Sequence, residues 1–323
     1  MKRHARTLLG LLLAAGGVFG AIPSNAQQTR PLSLIVAYPP GGTSDSTARL
    51  LAERLSPKLG RSIVVENRAG ADGIIAMQAL ARAQPDGSTI GFAAASPLSI
   101  TPHVQKLPFA LDAVAPLTPV MYSPAVLVAT SALKAKTLPE LVAKAKADPG
   151  AVRAANSGAL TLSTLILHEL QKTAHIEITV VPYKGGGQLL NDAIGGQFEL
   201  MVMNISATVV QSINEGKLTA LAVTGAGRSA SLPNVPTLTE AGYPTADMIS
   251  SFGLFVPAHM PQQTMDTLSK AVNEVIADPD FKARLADMGN VATGGSPAEF
   301  ANLIQQDSTR NARILKDAGL SQQ

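Results

Sequence analysis

The chain has 323 residues, of which 46% are hydrophobic, 15% charged and 4% aromatic, and it contains no cysteine. The absence of cysteine excludes both a disulfide framework and thiolate chemistry. Three of the 26 lysine and arginine residues lie in the first six positions, so the rest of the chain balances 23 cationic against 23 acidic side chains. This balance, with so few aromatic residues, excludes a nucleic-acid-binding face.

The first 26 residues have the pattern of a bacterial signal peptide. Their three cationic residues precede an apolar run at 8–18, which is too short to span a bilayer comfortably. A small-x-small site at 24–26 predicts cleavage before Gln27. Because no stop-transfer flank follows, we expect a protein exported to the periplasm rather than one held by a retained membrane anchor.

Strands and helices alternate along the rest of the chain. Apolar runs and periodic apolar residues predict a first series with strands at 34–37, 63–66 and 89–94 and helices after Asp45 and at 74–83. A second series follows Pro124, with predicted strands at 125–129, 152–155, 177–181, 198–203 and 218–223. Its predicted helices lie at 138–147, at 161–172, from the loop at 185–187 to about 194, and at 207–215. A last strand at 252–256 precedes helices that begin at Pro261, near Phe281 and at Pro297.

This order predicts an α/β fold with two doubly wound domains, each a parallel sheet covered by helices, around a cleft. No low-complexity linker separates the two series, so we expect crossing strands to join the domains and the C-terminus to return to the first domain. We place residues 27–124 with 252–323 in domain 1 and residues 125–251 in domain 2.

The segment 38–45, Tyr-Pro-Pro-Gly-Gly-Thr-Ser-Asp, joins the first predicted strand to the first predicted helix. Its prolines, glycines and small polar residues expose backbone N–H groups at a helix start, where the helix dipole favours an anion. The loop contains no arginine or lysine, so backbone and hydroxyl donors would hold the anion. A plain turn, in which Thr43 or Asp45 caps the helix, explains the same residues and stays open as an alternative.

Two further turns lie in the second series. The segment 156–163 again joins a strand to a helix, and in open α/β sheets ligands bind beyond the carboxyl ends of the strands. A capped helix without a ligand is the alternative there. Tyr183 and Lys184 precede three glycines at 185–187, which permit close backbone approach. Tyr183 could stack on a ligand or pack against its own domain.

Sequence motifs for catalysis or cofactor binding are missing. The chain lacks the dinucleotide fingerprint G-x-G-x-x-G, the phosphate loop G-x-x-x-x-G-K-[ST] and the nucleophile elbow G-x-S-x-G. His168 and Glu169 begin like the zinc motif H-E-x-x-H, but position 172 is lysine. We therefore expect no enzymatic activity, no cofactor and no metal site.

Several segments follow one family pattern in sequence order. Residues 38–49, Tyr-Pro-Pro-Gly-Gly-Thr-Ser-Asp-Ser-Thr-Ala-Arg, match aromatic-Pro-x-Gly-Gly-x-x-Asp-x-x-Ala-Arg, and further matches lie at 65–73, 85–89, 181–186, 195–197, 216–224 and 232–237. Through these motifs nearly the whole chain resembles the Bug-type solute receptors, the periplasmic substrate-binding proteins of tripartite tricarboxylate transporters.

The resemblance implies a type II-like periplasmic binding protein whose two domains close on a small carboxylate. Asp45 would order its loop or bound water. The ligand contacts that the resemblance implies are Tyr38, Gly41, Gly42, Thr43, Ser44, Asp45 and Ser96 in domain 1, and Ser157, Gly158, Thr161, Tyr183, Gly185, Gly186 and Asn204 in domain 2.

The chain departs from the family pattern in domain 2. Leu160 and Leu162 stand in a turn that is often rich in glycine and serine, and an acidic residue is common near Asn204. If both leucines line the pocket, an aromatic or aliphatic acid is favoured over citrate. The alternative is that both leucines belong to the core.

The resemblance thus implies a periplasmic solute-binding protein that delivers a small organic carboxylate to the membrane permease of a tripartite tricarboxylate transporter. We expect a monomer that needs no cofactor and binds no nucleic acid. The alternatives are a periplasmic hydrolase or transferase on a similar scaffold, which the missing motifs disfavour, and a ligand carrier for a sensor protein. The residues leave the identity of the carboxylate open.

Overall fold

The computed structural model describes residues 30–321, which form two α/β domains, each built on one sheet. The predicted signal peptide and its cleavage site lie outside these residues. No helix within 30–321 is both long and apolar enough to cross a membrane.

The described strands and helices alternate as predicted, with most bounds within two residues of the expected ones. The strands are β1 (Leu32–Val36), β2 (Ile63–Asn67), β3 (Thr89–Ala94), β4 (Val114–Ser123), β5 (Ala125–Ala129), β6 (Arg153–Asn156), β7 (Thr179–Pro182), β8 (Leu200–Asn204), β9 (Thr219–Val223), β10 (Ser250–Pro257) and β11 (Val291–Ala292). The helices are α1 (Thr43–Leu59), α2 (Ile74–Ala81), α3 (Ser96–Ser99), α4 (Leu138–Ala147), α5 (Leu162–Ala174), α6 (Gly186–Ile194), α7 (Ala207–Asn214), α8 (Gln262–Ala277), α9 (Pro279–Asp287) and α10 (Pro297–Asp317).

The two sheets are mixed rather than wholly parallel. The first has the strand order β11-β4-β10-β3-β1-β2, in which β1 pairs in parallel with β2 and β3, while β10 runs antiparallel to β3 and β4. The second has the order β7-β6-β8-β5-β9, in which β6 pairs in parallel with β7 and β8, while β5 runs antiparallel to β8 and β9. The chain leaves the first sheet through β4 and returns to it through β10, so these two neighbouring strands run in opposite directions.

Strand β4 was not predicted, because prolines at positions 116 and 119 weaken a strand pattern. Pro119 is paired with Gly253 and Pro116 with Phe255 on β10, and the register shifts beside both positions. These irregularities accommodate residues that cannot donate to the ladder. Only Pro124 separates β4 from β5, so the chain passes directly from the first sheet to the second.

Each sheet is covered by helices that bury apolar side chains against it. In the first domain Leu34 of β1 and Phe92 of β3 share a buried cluster with Leu51 of α1. In the second domain Leu127 of β5 shares one with Leu165 of α5. Burial of such a side chain contributes about 1.5–3 kcal/mol, so these clusters hold the strand ends in place beneath the loops that follow them.

The last helix contacts both domains and not the first alone. Phe300, near the start of α10, packs against Phe255 of β10 with ring centroids 5.2 Å apart. Ile314, near its end, belongs to the buried cluster of the second domain. There Lys172 Nζ on α5 also lies 2.6 Å from Asp317 Oδ2. Helix α10 therefore bridges the two sheets over its length.

Candidate functional site

The carboxyl ends of parallel strands from the two domains meet at one contact. Asp72 follows β2 and Gly158 follows β6, and a Cβ atom placed on Gly158 would lie 2.9 Å from Oδ1 of Asp72. Ligands of open α/β sheets bind beyond such strand ends. We therefore take the candidate site to be the cleft at this contact, between the segments that follow β1, β2 and β3 and those that follow β6, β7 and β8.

The carboxylate of Asp45 holds the turn after β1 together. Its Oδ2 atom accepts hydrogen bonds from the N–H of Gly41 and from Nε of Arg49, both at 3.0 Å. Its Oδ1 atom accepts one from Nδ2 of Asn67 at 2.8 Å, and the same amide donates to the carbonyl oxygen of Tyr38. Asp45 thus orders the loop, one of the two roles that the resemblance implied for it.

Burial and hydrogen bonding act on the Asp45 carboxyl in opposite directions. Burial by itself raises the pKa of Asp45, but the hydrogen bonds from Arg49, Gly41 and Asn67 outweigh it and lower the pKa below its usual value. The carboxylate is therefore ionised at neutral pH and is saturated by partners of its own domain.

The remaining donors of this turn lie at the start of α1. Gly41, with φ 84°, turns the chain, and its N–H is already bonded to Asp45. The N-cap Gly42 is extended and provides no side-chain cap. The N–H groups of Thr43 and Ser44 therefore have no partner within the described part of the chain, and both residues are half-buried. Of the donors predicted in this turn, Gly41 is the one that this conformation uses internally.

Tyr38 lies at the base of the same turn. Its hydroxyl oxygen accepts a hydrogen bond from the N–H of Ala94 at 3.1 Å, and its ring lies 5.8 Å from that of Phe252. Burial raises the pKa of Tyr38, the Ala94 bond opposes this, and the nearby charge of Asp72 adds to it. The hydroxyl is therefore protonated at neutral pH, and its own O–H donates to no acceptor within residues 30–321, so both this O–H and the half-buried ring remain for a ligand.

Ser96 opens the short helix α3 directly after β3. Its side chain is half-buried. The next residue, Pro97, lies against the turn after β2, because its Cγ is 3.2 Å from the position that a Cβ on Gly73 would occupy. The structure therefore places Ser96 beside the same group of loops as Tyr38 and Asp72.

The turn after β6 uses most of its polar groups internally. Oδ1 of the fully buried Asn156 accepts from the N–H of Gly158 at 3.2 Å. The carbonyl oxygen of Gly158 accepts from the hydroxyls of Thr161, at 2.9 Å, and Thr164, at 3.3 Å. The predicted donors Gly158 and Thr161 are thus occupied in this conformation. The half-buried hydroxyl of Ser157 has no partner within residues 30–321.

The glycine-rich loop after β7 presents backbone rather than side chains. The hydroxyl of Tyr183 donates to Oδ2 of Asp192 at 2.8 Å, and its ring meets that of Phe198 edge-on at 5.7 Å. Of the two predicted roles for Tyr183, packing against its own domain is the one that these contacts favour. Gly185, with φ 125°, precedes α6 and has no atom within 4 Å of the position of a Cβ, so the loop leaves open space there.

Asn204 ends β8 where the two domains are joined. Its Oδ1 accepts a hydrogen bond from the hydroxyl of Ser250, the first residue of β10, at 3.4 Å. The contact ties the end of a second-domain strand to the segment that returns to the first domain. Asn204 is half-buried.

Reasoning from the sequence missed Asp72, although it lies within the matching segment 65–73. Its backbone has φ 52° and ψ 32°, in the left-handed region that aspartate tolerates better than most residues. Its carboxylate has no hydrogen bond or ion pair within residues 30–321, and burial raises its pKa. An acidic residue flanked by Gly70 and Gly73 was the signal that could have identified it.

The two leucines of the second turn differ in their surroundings. Leu162 belongs to the buried cluster of the second domain, whereas Leu160 is half-buried and lies outside that cluster. For Leu162 this burial favours the alternative, in which the side chain belongs to the core. Leu160 alone stays available to a ligand.

The described residues contain no group of three or more His, Asp or Glu side chains arranged to hold a metal ion. His168 and Glu169 lie on α5, where Glu169 is buried, away from the strand ends that form the cleft. The half-match to a zinc motif thus does not contribute to the site.

A family model and a curated relative match most of the chain. The model of the tripartite tricarboxylate transporter family receptor matches residues 47–320. Protein BugT of Bordetella pertussis (strain Tohama I) is 31% identical to this chain over 315 residues, which cover 97% of this chain and 96% of BugT.

Two solved structures share the fold. The periplasmic binding protein BugD is 31% identical, with a TM-score of 0.80 and coverage of 91% of this chain and 99% of BugD. The R. palustris protein Rpa4515, solved with adipate, is 28% identical, with a TM-score of 0.84 and coverage of 91% and 99%. These matches confirm the predicted fold class, the resemblance to Bug-type receptors and a solute-binding role.

Proposed function

This chain belongs to the tripartite tricarboxylate transporter receptor family, and from that premise we propose that its cleft holds one small organic carboxylate. It acts in the periplasm as a monomer and hands the ligand, unchanged, to the membrane permease subunits of such a transporter. It catalyses no reaction. The adipate bound to Rpa4515 supports a ligand of about that size.

The observation that carries this proposal is the pair of unpartnered N–H groups, those of Thr43 and Ser44, at the start of the 17-residue helix α1. A helix N-terminus with free N–H groups favours a negative charge. Asp45 does not compete for these donors, since both of its oxygens are bonded to Gly41, Arg49 and Asn67. A carboxylate above this turn would lie at the cleft, within reach of the second domain.

The ligand is captured by closure of two domains, comprising residues 27–124 with 252–323 and residues 125–251. The crossing at Pro124 and the return into β10 are the natural hinges, because each connects one sheet to the other. Closure must work against α10, whose last turns pack on the second domain. Binding between the domains then stabilises the closed form that a permease can recognise.

Replacing Thr43 by proline tests the anion site directly. Thr43 is the first residue of α1, and Gly42 before it has φ −82° and ψ 170°, which suits a residue preceding proline. Thr43→Pro therefore removes one backbone donor without disturbing the helix. Because a hydrogen bond to a charged group contributes about 1.5–3 kcal/mol, we expect affinity to fall roughly 10- to 150-fold.

The matched control is Thr43→Ala, which removes the hydroxyl but keeps the N–H. Native mass spectrometry of protein purified without refolding identifies a co-purifying acid, and calorimetric titration with that acid and with adipate and citrate gives the affinities. Equal affinities of wild type and Thr43→Pro, in proteins that melt at the same temperature, would contradict the proposed site.

A further inference from the structure

Asp72 is a carboxylate without a counter-charge at the point where the two domains touch. The cations near it in the sequence are already paired, Arg68 with Glu66 at 2.8 Å and Arg49 with Asp45 at 3.0 Å. Tyr38, the titratable group on which the charge of Asp72 acts, carries no positive charge. Its side chain therefore has no partner within residues 30–321.

The second domain leaves room for this carboxylate only because position 158 is glycine. A Cβ on Gly158 would lie 2.9 Å from Oδ1 and 3.6 Å from Cγ of Asp72. Gly158 does not have a positive φ, so no backbone conformation requires glycine here. The missing side chain thus leaves room for two neighbours, Cγ2 of Thr161 in the same turn, which would lie 3.0 Å from that Cβ, and the carboxylate of Asp72.

Such a charge governs which acids can enter the same cleft. A second carboxylate on the ligand would meet a like charge in a partly desolvated place, where charges interact more strongly than in water. A protonated amine at that position would instead gain a charge-assisted hydrogen bond and supply the missing counter-charge. Burial raises the pKa of Asp72 because it disfavours the charged carboxylate, and a cation beside the carboxylate would oppose that effect.

We propose that Asp72 is the subsite for an ammonium group of the ligand, so that this receptor selects amino-carboxylates over plain mono- and dicarboxylates. The inference rests on the proposed function, in which the start of α1 holds the carboxylate. It adds that Asp72, at its contact with Gly158, recognises the second polar group of the ligand. The carboxylate site and the ammonium site then lie on different loops and can be altered separately.

Matched pairs of acids that differ by one amine test this selection: aspartate and succinate, glutamate and glutarate, 4-aminobutyrate and butyrate. Titration calorimetry and thermal shift on the full protein should show that the aminated member of at least one pair binds about tenfold tighter or more. Asp72→Asn should remove most of that ratio, by weakening the aminated acid and strengthening its plain partner. Asp112→Asn, an exposed acid outside the cleft, is the matched control and should leave the ratio unchanged.

A second variant guards against misfolding. Glycine adopts a φ of 52° more easily than aspartate, so Asp72→Gly keeps the turn while it removes the carboxylate, and it should behave as Asp72→Asn does. Equal binding of both members of every pair, or an equal change of both in Asp72→Asn, would overturn the inference. Failure of all three amino acids to bind at 10 mM would overturn it too.

The same panel separates this inference from the proposed function. Tight binding of succinate or glutarate with no preference for an amine overturns the ammonium subsite but leaves carboxylate capture intact. A Thr43→Pro variant that binds every acid as the wild type does removes the carboxylate site, whatever Asp72 does.

Discussion

The turn after β1 and the turn after β6 contain the same kinds of residue but use their polar groups differently. In the first, the carboxylate of Asp45 binds Gly41, Arg49 and Asn67, and the N–H groups at the start of α1 stay free. In the second, the amide of Asn156 takes up the N–H of Gly158. The hydroxyls of Thr161 and Thr164 also donate hydrogen bonds to the carbonyl oxygen of Gly158.

We infer from this difference that the turn after β1 binds the ligand and that the turn after β6 mainly covers it. A turn that keeps free N–H groups at the start of a helix can hold a carboxylate by itself. A turn that has paired its polar groups, apart from the half-buried hydroxyl of Ser157, can approach that carboxylate without leaving further buried polar groups unpaired. The two halves of the cleft therefore need not contribute equally, even though both lie beyond the ends of parallel strands.

The largest expected effect comes from Asp45→Ala. It removes a buried carboxylate and leaves the Gly41 N–H and the Asn67 amide without their acceptor, so we expect a loss of about 2–4 kcal/mol in the free energy of unfolding. Ligand affinity should fall as well, because the loop before α1 is no longer fixed. Urea unfolding and calorimetric titration measure the two losses.

The control for this change is Asp45→Asn, which keeps one carbonyl oxygen as an acceptor and should lose less stability than Asp45→Ala. A change below about 0.5 kcal/mol in Asp45→Ala, the level typical of unimportant surface positions, would mean that the turn does not depend on this carboxylate. The two turns would then be alike in being held by other contacts.

The second-largest effect on ligand affinity is expected from a change in the turn after β6. In Gly158→Ala the new methyl group would lie 2.9 Å from Oδ1 of Asp72 and 3.0 Å from Cγ2 of Thr161. Overpacking of this kind costs about 1–3 kcal/mol, and here it falls on the arrangement in which the domains touch. We therefore expect ligand affinity to fall roughly 5- to 150-fold with a smaller change in the melting temperature of the unliganded protein.

Gly227→Ala is the matched control, since no atom lies within 4 Å of its Cβ position and its φ is not positive. Combining Gly158→Ala with Asp72→Gly removes the clash with the carboxylate and should restore part of the lost affinity for a plain carboxylate, the ligand that does not need the charge of Asp72. If Gly158→Ala binds its acid as the wild type does, the second turn does not close as near to Asp72 as the structure places it.

Much of the fold could be predicted from the sequence because its signals are local. Thr137 caps α4, its hydroxyl accepting from the N–H of Glu140 at 3.4 Å, and α4 has the predicted bounds. Strand β4 escaped prediction because the bulges that accommodate its prolines depend on pairing with β10, which lies more than a hundred residues away along the chain. Long-range pairing of this kind leaves no local pattern.

The sequence predicts which loops form the site, but not which of their N–H and hydroxyl groups remain free to bind a ligand. The segment 38–45 was recognisable from its composition, yet only the folded structure shows that Asp45 occupies the Gly41 N–H. The importance of Asp72 arises from Gly158, a residue in the other domain, and no sequence spacing reveals that contact. Which polar groups are already satisfied is a property of three-dimensional packing.

The smallest effect is a pH dependence that should have opposite signs at the two aspartates. The pKa of Asp45 is lowered in the folded protein, so its stabilisation is present above its unfolded value of about 3.9 and is lost as pH falls through the folded value. The pKa of Asp72 is raised, so ionisation penalises the folded state as pH rises from the unfolded value through the folded one.

Asp45→Asn should therefore be less stable than the wild type at pH 7 and approach it near pH 3. Asp72→Asn should match the wild type near pH 3 and be more stable at pH 7. Urea unfolding of the three unliganded proteins between pH 3 and 7 measures both differences, and the same sign for both would refute the distinction between a bonded and an unpartnered carboxylate.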